Sequence, residues 1–430
     1  MPAPPAQPLV LTFEEARHAV ETQAALVNPG PEETVALFHA AGRILAEPIT
    51  ADRDIPPFPR STRDGYAVRA TDLAKLPAKL TVIGEIKAGP LQIPSALNQG
   101  QAFSIMTGAP MPQGADSVVM VEYTSQQENS VEITRGVTLG ENIVPQGAEA
   151  KRGALLLDRG TRLNESAIAL AASVGKSMLQ VFARPPVAVL TTGDEIVDID
   201  AQPGPTQIRN SNSYSIAAQI QQAGGDPVLL PIAPDESRRL RQLIEQGLQS
   251  DLLLMTGGVS MGRYDLVEQV LAELQAEFFF TGAKIQPGRP VVFGRVSCGL
   301  SLCGAGAPAR EGASVPVKHE YFFGLPGNPV STMVTFELFA RPMLEALAGM
   351  SPRQLKFLHA RLKSEIHVKT GLTRFLPAIL TSAYQNTHVE LVPWHGSGDI
   401  AAQTRANCYI VIPPDRDHIP AGEWVAVMPR

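Results

Sequence analysis

The sequence predicts a multidomain α/β protein: a central domain with a mostly parallel sheet, accompanied by additional β domains. Three observations carry this. Between about 185 and 346, continuous apolar runs alternate with amphipathic stretches, the rhythm of strands crossing to helices on both faces of a parallel sheet. On either side, near 61–146 and beyond about 347, short β-rich runs sit between glycine and proline turns. The chain of 430 residues is long enough for about three compact units at roughly 150 residues each.

The elements follow in order. Residues 13–26 read as an amphipathic helix with Phe13, Ala16, Val20 and Ala24 near one face, stopped before Asn28-Pro29-Gly30. Leu80–Ile83, Ala102–Met106, Ser117–Glu122 and Val131–Ile133 are the strand candidates of a small β domain. Residues 160–180 return to helix. After Arg184-Pro185-Pro186, strands are expected at Val187–Thr191, Val228–Ile232, Leu252–Thr256, Val291–Val296 and Tyr321–Leu325. Helices are expected at Ser213–Ala223, ended by Gly224-Gly225, at 236–249 with Asp235 as N-cap, and near 265–274. A long helix starts with Asn328 as N-cap and Pro329 at its first position. The runs Leu358–Leu362, Arg374–Leu380, Val389–Pro393, Cys408–Ile412 and Trp424–Met428 suggest a C-terminal β barrel or sandwich. Residues 298–319 read as an exposed Gly/Ala/Ser/Pro-rich loop.

Composition narrows the function. Hydrophobic residues at 44% and charged residues at 18% suit packed cores. A net charge of −6 argues against a nucleic-acid coat, which needs a basic face. A small anion remains possible, because backbone N–H groups and a few arginines make a local positive pocket. Three cysteines, Cys298, Cys303 and Cys408, give no disulfide framework or zinc spacing, and the eight histidines, His18 and His39 among them, show no metal-ligand spacing. No signal peptide and no run of ~18 apolar residues is seen. The expectation is a cytoplasmic protein with neither membrane nor nucleic-acid partners.

Four loops follow the apolar runs of the central region: Thr192-Gly193-Asp194-Glu195, Gly257-Gly258-Val259-Ser260-Met261-Gly262, Gln286-Pro287-Gly288-Arg289-Pro290 and Leu325-Pro326-Gly327-Asn328-Pro329. Glycine-rich turns feeding helices aim free N–H groups at an anion. Asp194, Glu195 and Asp265 would hold a divalent cation between phosphate oxygens, Mg²⁺ favouring oxygen ligands, and Arg289 would neutralise remaining charge. Each loop also reads as a plain turn with capping acids, as does Ser211-Asn212-Ser213 ahead of its helix. Their convergence on one sheet edge is what would distinguish the two readings. Asp64-Gly65 and Thr107-Gly108-Ala109-Pro110 carry the same ambiguity. Gly175-Lys176-Ser177 is rejected as a Walker loop, since Leu170 stands where the earlier glycine is required. Gly257-Gly258 lacks the dinucleotide spacing.

Together the segments resemble the molybdopterin molybdotransferases, the family of bacterial MoeA and the gephyrin E domain. The resemblance runs from about 10 to 428, through Pro56-Pro57-Phe58, Asp64–Val68, MTGAPMPQGAD at 106–116, TTGDE at 191–195, IRNSNS at 208–213, TGGVSMGRYD at 256–265, QPGRP at 286–290, LPGNPVS at 325–331, GSGDI at 396–400 and ANCYIVIP at 406–413. It implies a linking domain (1–60 with 147–184), a β domain (61–146), a MogA-like molybdopterin-binding α/β domain (185–346) and a C-terminal barrel-like β domain (347–430). It implies a homodimer with a shared cleft, transient contact with other molybdenum cofactor biosynthesis proteins, and insertion of molybdate into adenylylated molybdopterin with release of AMP, using Mg²⁺.

By the same resemblance Asp64, Thr107, Glu149, Glu195 and Asp265 are catalytic. Glu195 and Asp265 act at the cation, joined by Asp194 and Asp235. Gly257, Gly258 and Ser260 cradle phosphate, with Ser211 and Asn212 beside the nucleotide, and Thr192 and Gly193 are further substrate-binding residues. Arg289, Pro326 and Asn328 line the pterin or molybdate side, with Arg374 and Ser397 as oxyanion contacts from the C-terminal domain. The chain departs from the family at Arg63, where methionine is usual, at Glu149 for aspartate, at Val144-Pro145-Gln146 for a basic run, and at Gln286 for lysine. The alternatives are a molybdopterin adenylyltransferase-like enzyme, which would need only the α/β domain, and a non-catalytic gephyrin-like scaffold.

Overall fold

In the computed structural model, which describes residues 9–89, 96–257, 266–297, 319–350, 354–384 and 386–430, the apolar runs of the central region pair into one six-stranded sheet. Its order is Asp226–Leu229, Pro186–Thr191, Leu252–Thr256, His319–Leu325, Val292–Ser297, Glu277–Phe280. The first four are parallel and Val292–Ser297 alone runs against its neighbours. Gly258, Ser260 and Asp265, together with 298–318 of the Gly/Ala/Ser/Pro-rich stretch, lie outside the described residues.

Side chains alternate across this sheet because the strand period is two. Val187, Val189, Leu252, Leu254, Phe293 and Phe323 face one core, packed by the helices Phe13–Ala24, Asn212–Ala223, Pro329–Thr335 and Arg341–Leu347. Ala188, Leu190, Leu253, Met255 and Phe322 face a second core with Leu240, Leu243, Ile244, Val267, Val270 and Leu271. Each fully buried Leu, Val or Phe contributes roughly 1.5–3 kcal/mol, so both layers are held firmly under the sheet's rim. The first helix follows its sequence signature: Thr12 caps it in a reciprocal box with Glu15, and Phe13, Ala16, Val20 and Ala24 are all buried.

Contacts divide the chain into two units, Met1–Glu33 with Gly42–Ala46 and Gln180–Arg430, and Thr34–Ala41 with Glu47–Leu179. The first unit also contains the C-terminal barrel. Its strands run Thr373–Ala383, Asn386–Leu391, Leu358–Leu362, Trp424–Pro429, Cys408–Ile412, and the last pairs back with the first, which closes the sheet. The second unit is built on a six-stranded sheet in the order Ser117–Met120, Gly65–Val68, Gln101–Ile105, Ala78–Ile86, Ser130–Ile133, Thr124–Gln127.

Three expectations need correction. The helix expected over 160–180 spans only Glu165–Ser173, capped by Asn164, and Met178–Phe182 is a strand. Gly175 at φ +77° breaks the helix, and Leu179 and Val181 then bury alternately as strand residues do. Asp235 is not the N-cap of the next helix, which spans Ser237–Gly247 with Glu236 at the cap. The strand expected at Val228–Ile232 starts two residues earlier and ends three earlier, at Asp226–Leu229. Lys176, rejected as a phosphate ligand, is bonded to Glu47 at 2.7 Å.

Candidate functional site

Register decides where the loops go. Thr191 lies opposite Thr256, and Thr256 opposite Leu325, so the chain leaves all three strands at one edge. Val292 pairs with Gly324 in the reverse sense, which brings the loop preceding it, 286–290, to that same edge. The described parts of the four loops therefore start or end at one edge, as ligand loops of open α/β sheets do.

Two adjoining cavities open there. The first, about 360 Å³, is lined by Thr192, Glu195, Asn212, Gly257, Pro326 and Asn328 among others. Asn212, 8% exposed, donates from Nδ2 to Thr256 Oγ1 at 3.0 Å and to the Gly327 carbonyl at 2.8 Å. That orientation leaves its Oδ1 buried without a partner among the described residues, and Thr192 Oγ1 is in the same position. Unpaired buried polar atoms cost about 1–3 kcal/mol, and a bound ligand carrying a donor and an acceptor would satisfy both. Beneath them Thr191 and Ser213 share a 2.7 Å hydroxyl contact, and Asn210 donates to Ser213 Oγ at 2.9 Å. This network holds the start of the Asn212 helix on the strand end. Gly257 sits at φ +91°, and a Cβ there would stand 2.2 Å from the Thr192 carbonyl oxygen, so only glycine lets the two loops touch.

The second cavity, about 440 Å³, is walled by residues 286–290, Pro326, Asn328 and Ser331 on one side and by Leu372, Trp394, Gly396 and Ser397 from the barrel on the other. The Ser397 carbonyl accepts the Val330 N–H at 2.9 Å, and Ile285–Gln286 pairs in parallel with Thr373 and Arg374. Arg289 is exposed at this wall. Arg374 is not among the lining residues: it is 6% exposed and its Nη2 donates to the Lys369 carbonyl. Ser211 is exposed as the helix N-cap and lines neither cavity. Trp394 carries no sequence signal, and Thr256 and Ser331 lie within quoted motifs without an assigned role; Thr256 stands out as a polar residue ending an apolar strand.

The acids meet beside the first cavity. The strands Pro186–Thr191 and Asp226–Leu229 are parallel neighbours, so the loops after them lie side by side. Gly193 N–H donates to the Ala233 carbonyl at 3.2 Å, and Asp235 N–H to Asp194 Oδ1 at 3.1 Å. Partial burial, then the charges of Asp194 and Glu195, hold the Asp235 carboxyl above its ordinary range. The charges of Asp194 and Glu195 thus reach Asp235, but among the described residues the oxygens of these three acids are not gathered closely enough to form a ready-made site for one metal ion.

In the second unit, Asp64 Oδ1 accepts the Thr107 N–H at 2.7 Å. Its own carbonyl accepts Val121 N–H at 3.0 Å, which ties the Asp64 turn to two neighbouring segments. Gly65 is required beside it, since a Cβ would fall 1.8 Å from the Val119 carbonyl oxygen. Glu149 takes a 2.9 Å hydrogen bond from Arg60 Nη2 at the surface.

Comparison with known proteins now bears on this geometry. The MoeA N-terminal region (domain I and II) matches residues 11–175, the probable molybdopterin binding domain 188–346, and the MoeA C-terminal region (domain IV) 359–429. The chain belongs to the MoeA family. The molybdopterin molybdenumtransferase of Nostoc sp. is 34% identical over 404 residues, 92% of this chain and 88% of that protein. The molybdopterin molybdenumtransferase of Bacillus subtilis is 32% identical over 420 residues, covering 95% and 92%. The crystal structure of the molybdopterin biosynthesis MoeA protein from Pyrococcus horikoshii OT3 matches with a TM-score of 0.77 at 26% identity, over 98% of this chain and 100% of that one. The segment matching the family's molybdopterin binding domain contains the six-stranded sheet and its loop edge. Among the described residues no helix is long and apolar enough to cross a membrane.

Proposed function

We propose that this chain acts as a molybdopterin molybdenumtransferase, inserting molybdate into adenylylated molybdopterin with release of AMP. The observation that carries the reading is the convergence of four loops on one sheet edge around two adjoining cavities. The substrate is long and has chemically distinct ends, which suits two connected pockets.

In this reading the first cavity takes the nucleotide and pyrophosphate. Thr192 Oγ1 donates to an oxygen of the substrate, Asn212 Oδ1 accepts from a donor on it, and the Gly257 turn lets the backbone approach closely. Gly193 belongs to the same turn as Thr192, and the family resemblance assigns Gly258 and Ser260 to the phosphates. The second cavity takes the pterin and molybdate, with Arg289 as the counter-charge, Pro326 and Asn328 as the shared wall, and Ser397 on the barrel side. Asp194, Glu195, Asp235 and Asp265 would hold Mg²⁺, which when bound spreads the charge of the leaving phosphate. Asp64, Thr107 and Glu149 are assigned catalytic roles with Glu195 and Asp265. A homodimer, a cytoplasmic setting and transient contact with other cofactor-synthesis proteins belong to the same reading.

The test is molybdate-dependent release of AMP from adenylylated molybdopterin by the purified protein. Glu195→Gln should abolish it while the protein stays folded by circular dichroism. Wild-type turnover in that variant would overturn the site assignment. ATP-dependent adenylylation of molybdopterin in place of AMP release would favour the adenylyltransferase alternative.

A further inference from the structure

Far along the sequence from the loop edge, two short strands of the C-terminal region, Ile366–His367 and His418–Ile419, pair antiparallel with His367 directly opposite His418. The two imidazoles stack face to face, with centroids 4.3 Å apart and planes 11° from parallel. Glu365 Oε2 sits 3.1 Å from His418 Nε2 and 3.6 Å from His367 Nε2. One ligand atom from each of the three lies within 4.8 Å of the others. We infer that Glu365, His367 and His418 form a surface site for a divalent first-row transition metal ion, separate from the carboxylates at the loop edge.

Donors bound at about 2.0–2.2 Å in a tetrahedral site stand roughly 3.3–3.6 Å apart, near the 3.1 and 3.6 Å between Glu365 and the two imidazoles; because an imidazole ligates in its ring plane, the exposed stacked rings turn out of parallel to share the ion. Two imidazoles with one carboxylate suit zinc, nickel or copper and leave a position open to water. The backbone supports the arrangement: Val368 N–H donates to the Asp417 carbonyl at 2.8 Å and Gly371 N–H to the Pro414 carbonyl at 2.6 Å, which stitches the two segments together. Arg416, the nearby cation, is occupied by Glu423 at 3.0 Å, and Asp415 and Asp417 add negative charge. The metal would clamp two segments 51 positions apart at the base of the loop that leads to Leu372 and the second cavity.

Calorimetry on the full-length chain, made without a histidine tag, tests this with Zn²⁺ and Cu²⁺ in the presence of excess Mg²⁺. One ion should bind per chain, Cu²⁺ more tightly than Zn²⁺. His367→Gln and His418→Gln should each weaken binding beyond the roughly 10–100-fold that outer partners alone are worth. His359→Gln, an exposed histidine elsewhere on the barrel, should leave it unchanged. Electron paramagnetic resonance of the Cu²⁺ form should show coupling to two imidazole nitrogens. Binding that survives both substitutions, displacement by Mg²⁺, or the absence of stoichiometric binding would leave only a His–Glu ion pair and overturn the inference. The variants' unchanged thermal melting without metal separates lost ligation from lost folding.

Discussion

The Asp64 carboxylate accepts the backbone N–H of Thr107 across two segments separated by 43 positions. This bond fixes one carboxylate oxygen. Asp64→Asn keeps an acceptor at the same place, so the Thr107 turn should hold while the charge is lost. Asp64→Ala removes both. If Asp64 acts through its charge, both variants lose turnover of adenylylated molybdopterin alike; if it acts by positioning Thr107, only the alanine variant does. Steady-state AMP release distinguishes them, and melting should change little at this exposed pair.

Gly257→Ala should destabilise the protein by about 1–3 kcal/mol, the usual cost of a side chain in a strained backbone region. The clash is with the Thr192 carbonyl oxygen, a backbone atom that cannot rotate away. Denaturant unfolding measures the loss, and affinity for adenylylated molybdopterin should fall with it.

The raised pKa of Asp235 has a defined sign. A carboxyl whose folded value lies above its unfolded value contributes stability that is complete below the unfolded value and is lost as pH rises through the folded one. Asp235→Asn removes that titration. Thermal melts from about pH 3 to about pH 7 without Mg²⁺ should show a steeper decline with rising pH in the wild type than in the variant. Added Mg²⁺ should stabilise the wild type more than the variant at neutral pH. Identical pH profiles would contradict the repulsion among the three acids.

Cys408 is buried, donates from Sγ to the Ala378 carbonyl at 3.3 Å, and burial pushes its thiol up to about 11. A thiol that remains protonated and covered is a poor nucleophile. Peptide-level mass spectrometry after alkylation at mildly alkaline pH should find Cys408 unmodified in the folded protein and modified after denaturation.

The frame was legible in the sequence wherever period and caps agreed. The Phe13–Ala24 helix was legible from its apolar stripe and the breaker run that follows it, and the loop edge followed from apolar strands ending in glycine-rich turns. The failures have physical causes. The segment after Gly175 looked helical because its apolar residues do not distinguish a short strand from a helix end. Asp235 resembled a cap in isolation; its pairing with Asp194, 41 positions away, depends on two strands being neighbours, which local pattern does not encode. Arg374 looked like an anion ligand by residue type, yet its guanidinium turns in to a backbone carbonyl. The His367–His418 pair was missed because motif spacing registers only ligands close in sequence.

The reversed direction of Val292–Ser297 has a further consequence. It delivers its preceding loop to the ligand rim and so sends its own end, Ser297, to the opposite rim, where Ser297 pairs with His319 of the neighbouring strand. The connection from Ser297 to His319 is thus attached at the far rim of the sheet from the four loops. Its two anchors, Ser297 and His319, are therefore set apart from the pocket by the length of the strands they end and begin.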